Sequence, residues 1–165
     1  MVEFQVLAGK VTCQSTKIRH HINMTELSAT TSEVIDRWID ADPDPLAANR
    51  IETLRSDSES FDRAFGQPLR FGTAGLRGEM GPGPGSMNRV VMRVAAKAIA
   101  NQLVADGLTQ KGIVIGYDAR IESDLYALDA ARIFRSMSIE CLLVEGPIPT
   151  PVLARLVISR EAGAG

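Results

Sequence analysis

Beyond residue 88 the apolar residues switch between two spacings in strict alternation, and this order restricts the fold more than any other feature of the chain. Asn88 can cap a helix in which Val91, Val94, Ala95, Ala98, Ile99 and Leu103 form one stripe, with Gly107 as its stop. A strand follows over residues 112–117. Its continuous run Ile113, Val114, Ile115 suits a strand covered on both faces of a parallel sheet. Ser123 then caps a second helix carrying Leu125, Leu128, Ile133 and Phe134, and residues 140–144 read as the next strand. Thr150 and Pro151 read as cap and first position of a last helix, with Val152, Leu153, Leu156 and Val157 inward. Helix, strand, helix, strand, helix predicts an α/β sandwich with a largely parallel sheet.

Upstream, the spacing is helical from Ser28 to about Phe65. Ser32 caps a helix with Val34, Ile35, Trp38 and Ile39 on one face, and Pro43 and Pro45 stop it. A second helix, starting near Pro45, carries Leu46, Ala47, Ile51 and Leu54, and Phe61 and Phe65 complete a short turn. This is a packing element without chemistry. Residues 1–23 do not continue into that pattern, and the His20-His21 pair lacks a third ligand at useful spacing, so an exposed extension ahead of a start at Met24 is the reading. The expected organisation is an unmatched extension over 1–23, a helical lead-in over 24–65 and one α/β domain over 66–165. A chain of 165 residues, 45% hydrophobic, is long enough for one core plus an appendage.

Charge excludes several functions. With 18 basic and 20 acidic side chains, net −2, there is no basic field to hold nucleic acid or an anionic membrane, so an anionic ligand must be held locally. The longest apolar runs are far short of the ~20 residues that cross a bilayer. The first residues lack the leading positive charge of a secretory signal. Cys13 and Cys141 match no metal or redox spacing and cannot make a disulfide framework, which fits a reduced, cytoplasmic setting.

Between residues 66 and 85 lie seven glycines and three prolines, a density that marks backbone turning tightly or approaching something closely. Within it, Phe71-Gly72-Thr73-Ala74-Gly75-Leu76-Arg77-Gly78 combines three glycines, a hydroxyl and one fixed positive charge. Glycines let N–H groups turn toward an anion, and the Arg77 guanidinium offers a planar fork matching phosphate oxygens. Thr73, Gly75 and Arg77 are therefore candidate phosphate-binding residues, with a purely structural turn as the alternative. Arg89, Arg93 and Lys97 recur every four residues on the long helix, where a solvated basic face is preferred to a phosphate-facing one.

The run from Phe71 to Gly78, followed by Met80-Gly81 and Met87-Asn88, resembles the opening signature of the α-D-phosphohexomutases, the phosphoglucomutase and phosphomannomutase family. Gly116-Tyr117-Asp118-Ala119-Arg120 with Ser123, and then Pro149-Thr150-Pro151, are similar to its next two landmarks in the same order. The resemblance spans residues 34–165, and is strongest toward the phosphopentomutase and phosphomannomutase branch. It implies the first domain of a four-domain enzyme in which a phosphoserine exchanges its phosphoryl group with a hexose or pentose phosphate, beside a magnesium ion. Arg77 is then expected to stabilise charge on the transferring group, as a catalytic residue with Thr73 in the same loop. Asp118 and Arg120 are expected to be architectural.

The resemblance also implies that the serine loop and the metal loop belong to sequence beyond Gly165. The chain is thus expected to hold no magnesium and to be a fragment inactive alone. A non-catalytic α/β protein binding a phosphorylated ligand or another subunit is the alternative. A dinucleotide-binding reading ranks third, since the glycines are not set in a strand-turn-helix unit with an acidic partner.

Overall fold

The computed structural model describes residues 2–7, 10–15, 31–72 and 75–165. The chain divides into two compact units, one of Cys13–Val91 with Met1–Phe4 and one of Met92–Gly165 with Gln5–Thr12. Strands β1 (Val2–Leu7) and β2 (Lys10–Ser15) pair in a two-stranded sheet. Both lie in the stretch read as an extension, where the alternation of Val2, Phe4 and Val6 is a period-two signal. The His20-His21 pair lies outside the described residues.

In the first unit, α1 (Thr31–Ala41), α2 (Ala47–Arg55) and α3 (Ser58–Phe65) bury Ile35, Ala47, Ile51 and Ala64. Ser32 falls inside α1 rather than at its cap, and Leu46 is 51% exposed because the helix begins one residue later. The aromatic turn is a true helix. Asp57 caps α3, its carboxylate accepting from the backbone of Glu59 at 3.1 Å and Ser60 at 3.3 Å. Phe61 and Phe65 stack at 5.0 Å, and Trp38 meets Phe65 edge-on at 6.2 Å.

The glycine-rich stretch closes the end of α3. Gly85 N–H donates to Ala64 C=O and Leu69 N–H to Pro84 C=O, both at 2.8 Å, which satisfies a carbonyl that the last helical turn leaves without a partner. A Cβ on Gly85 would collide with the Arg63 carbonyl, and one on Gly83, at φ +88°, with that of Ala64. Asn88 locks the same loop. Its buried amide donates to the carbonyls of Gly81, Gly83 and Ser86 at 2.9, 2.8 and 3.1 Å, while its oxygen accepts from Val91 N–H at 2.9 Å and caps the next helix. Asn88→Ala is expected to cost about 2–3 kcal/mol, a cap plus carbonyls left unmatched. Urea unfolding measures it, and a loss within ~0.5 kcal/mol, the range of an ordinary surface change, would show that the hub carries little.

The second unit is built on α4 (Arg89–Ala105, counted from Met92 here), β5 (Ile113–Ile115), α5 (Ser123–Ser136), β6 (Cys141–Leu143) and α6 (Thr150–Ser159). β5 and β6 run parallel, Ile113 opposite Cys141 and Ile115 opposite Leu143, and Ala164 forms a parallel bridge to the other side of Ile113. The core joins Ala96, Ala100, Leu103, Ile113, Phe134 and Ile139. These elements realise the parallel α/β arrangement.

Details differ from the sequence pattern. The buried face of α4 is Ala96, Ala100 and Leu103, with Val94 47% exposed, because the small alanines admit Phe134 and Ile139 close to the helix axis. Glu122, in a left-handed conformation at φ 62°, occupies the position ahead of α5, so Ser123 is the first helical residue and not the cap. Pro149 stands likewise ahead of α6, which starts at Thr150. Leu125 and Leu128 stay partly exposed, and no α6 residue is fully buried.

Candidate functional site

Strands β3 (Phe71–Gly72) and β4 (Gly75–Leu76) form an antiparallel hairpin in the first unit, with Phe71 opposite Leu76 and Gly72 opposite Gly75. Thr73 and Ala74, which join them, lie outside the described residues. Gly75 has φ +94°, a conformation that side chains rarely adopt, and no atom of the described residues lies within 4 Å of where its Cβ would stand. Among the described residues, nothing covers this side of its backbone. Arg77 follows β4, exposed, with no hydrogen-bond or ion-pair partner among the described residues. A guanidinium without a partner among the described residues has its fork of donors available to an oxyanion.

The other glycines of the stretch serve packing. Gly81, Gly83 and Gly85 belong to the closure of α3 and the Asn88 hub, and Gly78 lies against the Leu69 side chain.

Asp118 and Arg120 lie in the second unit, in the loop after β5. The Asp118 carboxylate accepts from Arg120 N–H at 3.1 Å and from Arg120 Nε at 2.8 Å, and Asp118 N–H donates to Ser123 Oγ at 3.4 Å. The backbone hydrogen bond from Arg120 is the chief cause that holds the Asp118 carboxyl below its ordinary value. Across the sheet, Tyr117 Oη accepts from Gly146 N–H at 3.1 Å and Tyr117 C=O from Ile148 N–H at 2.8 Å, tying the loops after β5 and β6 together. The geometry is that of a braced loop.

The basic row on α4 is not simply solvated. Arg93 donates at 3.2 Å to Asp129, whose side chain is fully buried, and Arg132 donates to the same oxygen at 3.4 Å. Sequence reasoning passed over Asp129. Its only local signal is an acid set between Ala127 and Ala131 on the inner side of α5, three residues ahead of Arg132. Lys97 is exposed, with Nζ 3.0 Å from Met137 Sδ.

Among the described residues there is no group of three or more His, Cys, Asp or Glu that could hold a metal ion. Among the described residues no helix is long and apolar enough to cross a membrane.

Residues 68–165 match the family described as phosphoglucomutase/phosphomannomutase, alpha/beta/alpha domain I. A phosphoglucomutase of Staphylococcus haemolyticus is 34% identical over 130 residues, 79% of this chain and 23% of the relative. A phosphopentomutase of Homo sapiens is 32% identical over 139 residues, 78% of this chain and 23% of the relative. A probable phosphomannomutase of Haemophilus influenzae is 38% identical over 79 residues, 48% of this chain and 16% of the relative. The chain thus spans about a quarter of the length of the first two. No solved structure matches.

Proposed function

Since the chain belongs to the phosphoglucomutase/phosphomannomutase family, we propose that it is the amino-terminal fragment of a phosphosugar mutase, supplying phosphate contacts for phosphoryl transfer on a hexose or pentose phosphate. The observation that carries this reading is the exposed Arg77 guanidinium, without a partner among the described residues, two positions after Gly75, whose Cβ position meets no described atom within 4 Å. Thr73, two residues before Gly75 in sequence, adds a hydroxyl. The reaction moves a highly charged phosphoryl group with little covalent work for these residues, so positioned cationic donors are the natural contribution of the hairpin.

In this reading the phosphoserine and the magnesium ion that assists it belong to later sequence, and the chain by itself turns nothing over. Asp118 and Arg120 shape the loop after β5 and do not touch substrate. A cytoplasmic setting accords with the free thiol of Cys141 and with phosphosugar chemistry.

Purified chain is expected to show no mutase activity on glucose 1-phosphate, mannose 1-phosphate or ribose 1-phosphate with magnesium and a bisphosphate activator. It is still expected to bind inorganic phosphate at the hairpin, seen as saturable shifts of the Gly72 and Gly75 amide resonances. Turnover that survives repurification would overturn the fragment reading. Absence of any phosphate response at the hairpin would overturn the assigned role.

A further inference from the structure

The pairing of β3 with β4 places a second arginine opposite Arg77. Phe71 faces Leu76 and Gly72 faces Gly75, so the next pair outward in the same register is Arg70 with Arg77. The two segments stay close beyond that pair, because the position of a Cβ on Gly78 falls 2.6 Å from the Leu69 side chain. Arg70 and Arg77 thus lie between the registered pair Phe71–Leu76 and the Leu69–Gly78 contact. Side chains alternate between faces along a strand, which puts the two arginines on one face of the hairpin and Phe71 and Leu76 on the other.

That face has a second property. Its remaining cross-strand pair is Gly72 with Gly75, which bears no side chain. Among the described residues, a Cβ on Gly75 would meet nothing within 4 Å, and one on Gly72 only the Gly75 carbonyl at 3.7 Å. Next to the two arginines on that face, the described residues therefore present bare backbone with room above it.

Like charges directly opposite one another destabilise a strand pair, and neither Arg70 nor Arg77 has an anionic partner among the described residues. An oxyanion set between the two forks removes the repulsion and uses the donors of both. We infer that Arg70 and Arg77 form a two-arginine clamp that takes a phosphate group across the Gly72–Gly75 floor. Arg70 is thereby a phosphate-binding residue of the site, an inference that rests on the phosphate reading of Arg77.

The test is titration of the full chain with inorganic phosphate at constant ionic strength, with chloride as control, following the Gly72 and Gly75 amide resonances. Arg70→Ala is expected to weaken binding about tenfold, the loss of one charge-assisted contact, and Arg70→Lys to recover part of it. Arg70→Glu should abolish binding by pairing with Arg77, and should raise the melting temperature without phosphate, because an opposed attraction replaces a repulsion. Circular dichroism verifies that each variant folds. If Arg77→Ala loses phosphate while Arg70→Ala binds it as tightly as the parent, the clamp is wrong and the reading of Arg77 stands. If both variants bind like the parent, or the parent shows no saturable response, both fail.

Discussion

Replacing Arg77 with Ala in a full-length mutase that carries this domain is expected to lower kcat by about 10² or more, as for other lost donors to a developing negative charge. Arg77→Lys should return only part of the rate, since an ammonium keeps the charge but loses the planar two-point geometry. The fold should hardly register either change. Arg77 is exposed and makes no hydrogen bond to a described residue, so a merely structural role would have to show itself as lost stability, which circular dichroism and the melting temperature report. Near-normal kcat in folded Arg77→Ala enzyme would end the catalytic assignment.

The opposite signature is expected at Asp129. Its carboxylate is buried between Arg93 and Arg132, and Asp129→Ala leaves Arg93, only one-third exposed, without that counter-charge. Breaking a buried pair from one side costs about 3–5 kcal/mol, and because Arg93 keeps a third of its side chain in water the loss here is expected at the lower end, about 3 kcal/mol. For a chain of this size that corresponds to a melting temperature lower by roughly 10 °C. Asp129→Asn should fall between, keeping an acceptor for the guanidinium but not the charge. Thermal and urea unfolding measure both, and a loss under ~1 kcal/mol for Asp129→Ala would mean that the pair is exposed in solution.

Local signals were legible where chemistry and backbone coincide. Asn88 is a cap because its side chain is the right length to reach Val91 N–H, and Ile113 to Ile115 is a strand because three branched aliphatics fit between two helical layers. The caps of α5 and α6 were misplaced by one residue, since a hydroxyl was preferred to Glu122 and Pro149, which hold their positions by backbone conformation alone. Asp57 was overlooked because the helix that it caps is only eight residues long. Asp129 and Arg70 carry no motif at all. One owes its meaning to burial and the other to the register of a short hairpin, and both are properties of neighbours far from the residue's own local pattern.

The distribution of aromatic side chains gives this molecule a built-in optical separation. Its single tryptophan, Trp38, rests edge-on against Phe65 in the unit that carries the hairpin, and its two tyrosines, Tyr117 and Tyr126, both belong to the other unit. Fluorescence excited at the red edge, where only indole absorbs, therefore follows one unit alone. The near-ultraviolet tyrosine signal follows the other. Whether the two melt together or in sequence can be read from the unlabelled protein in one experiment, without introducing a probe.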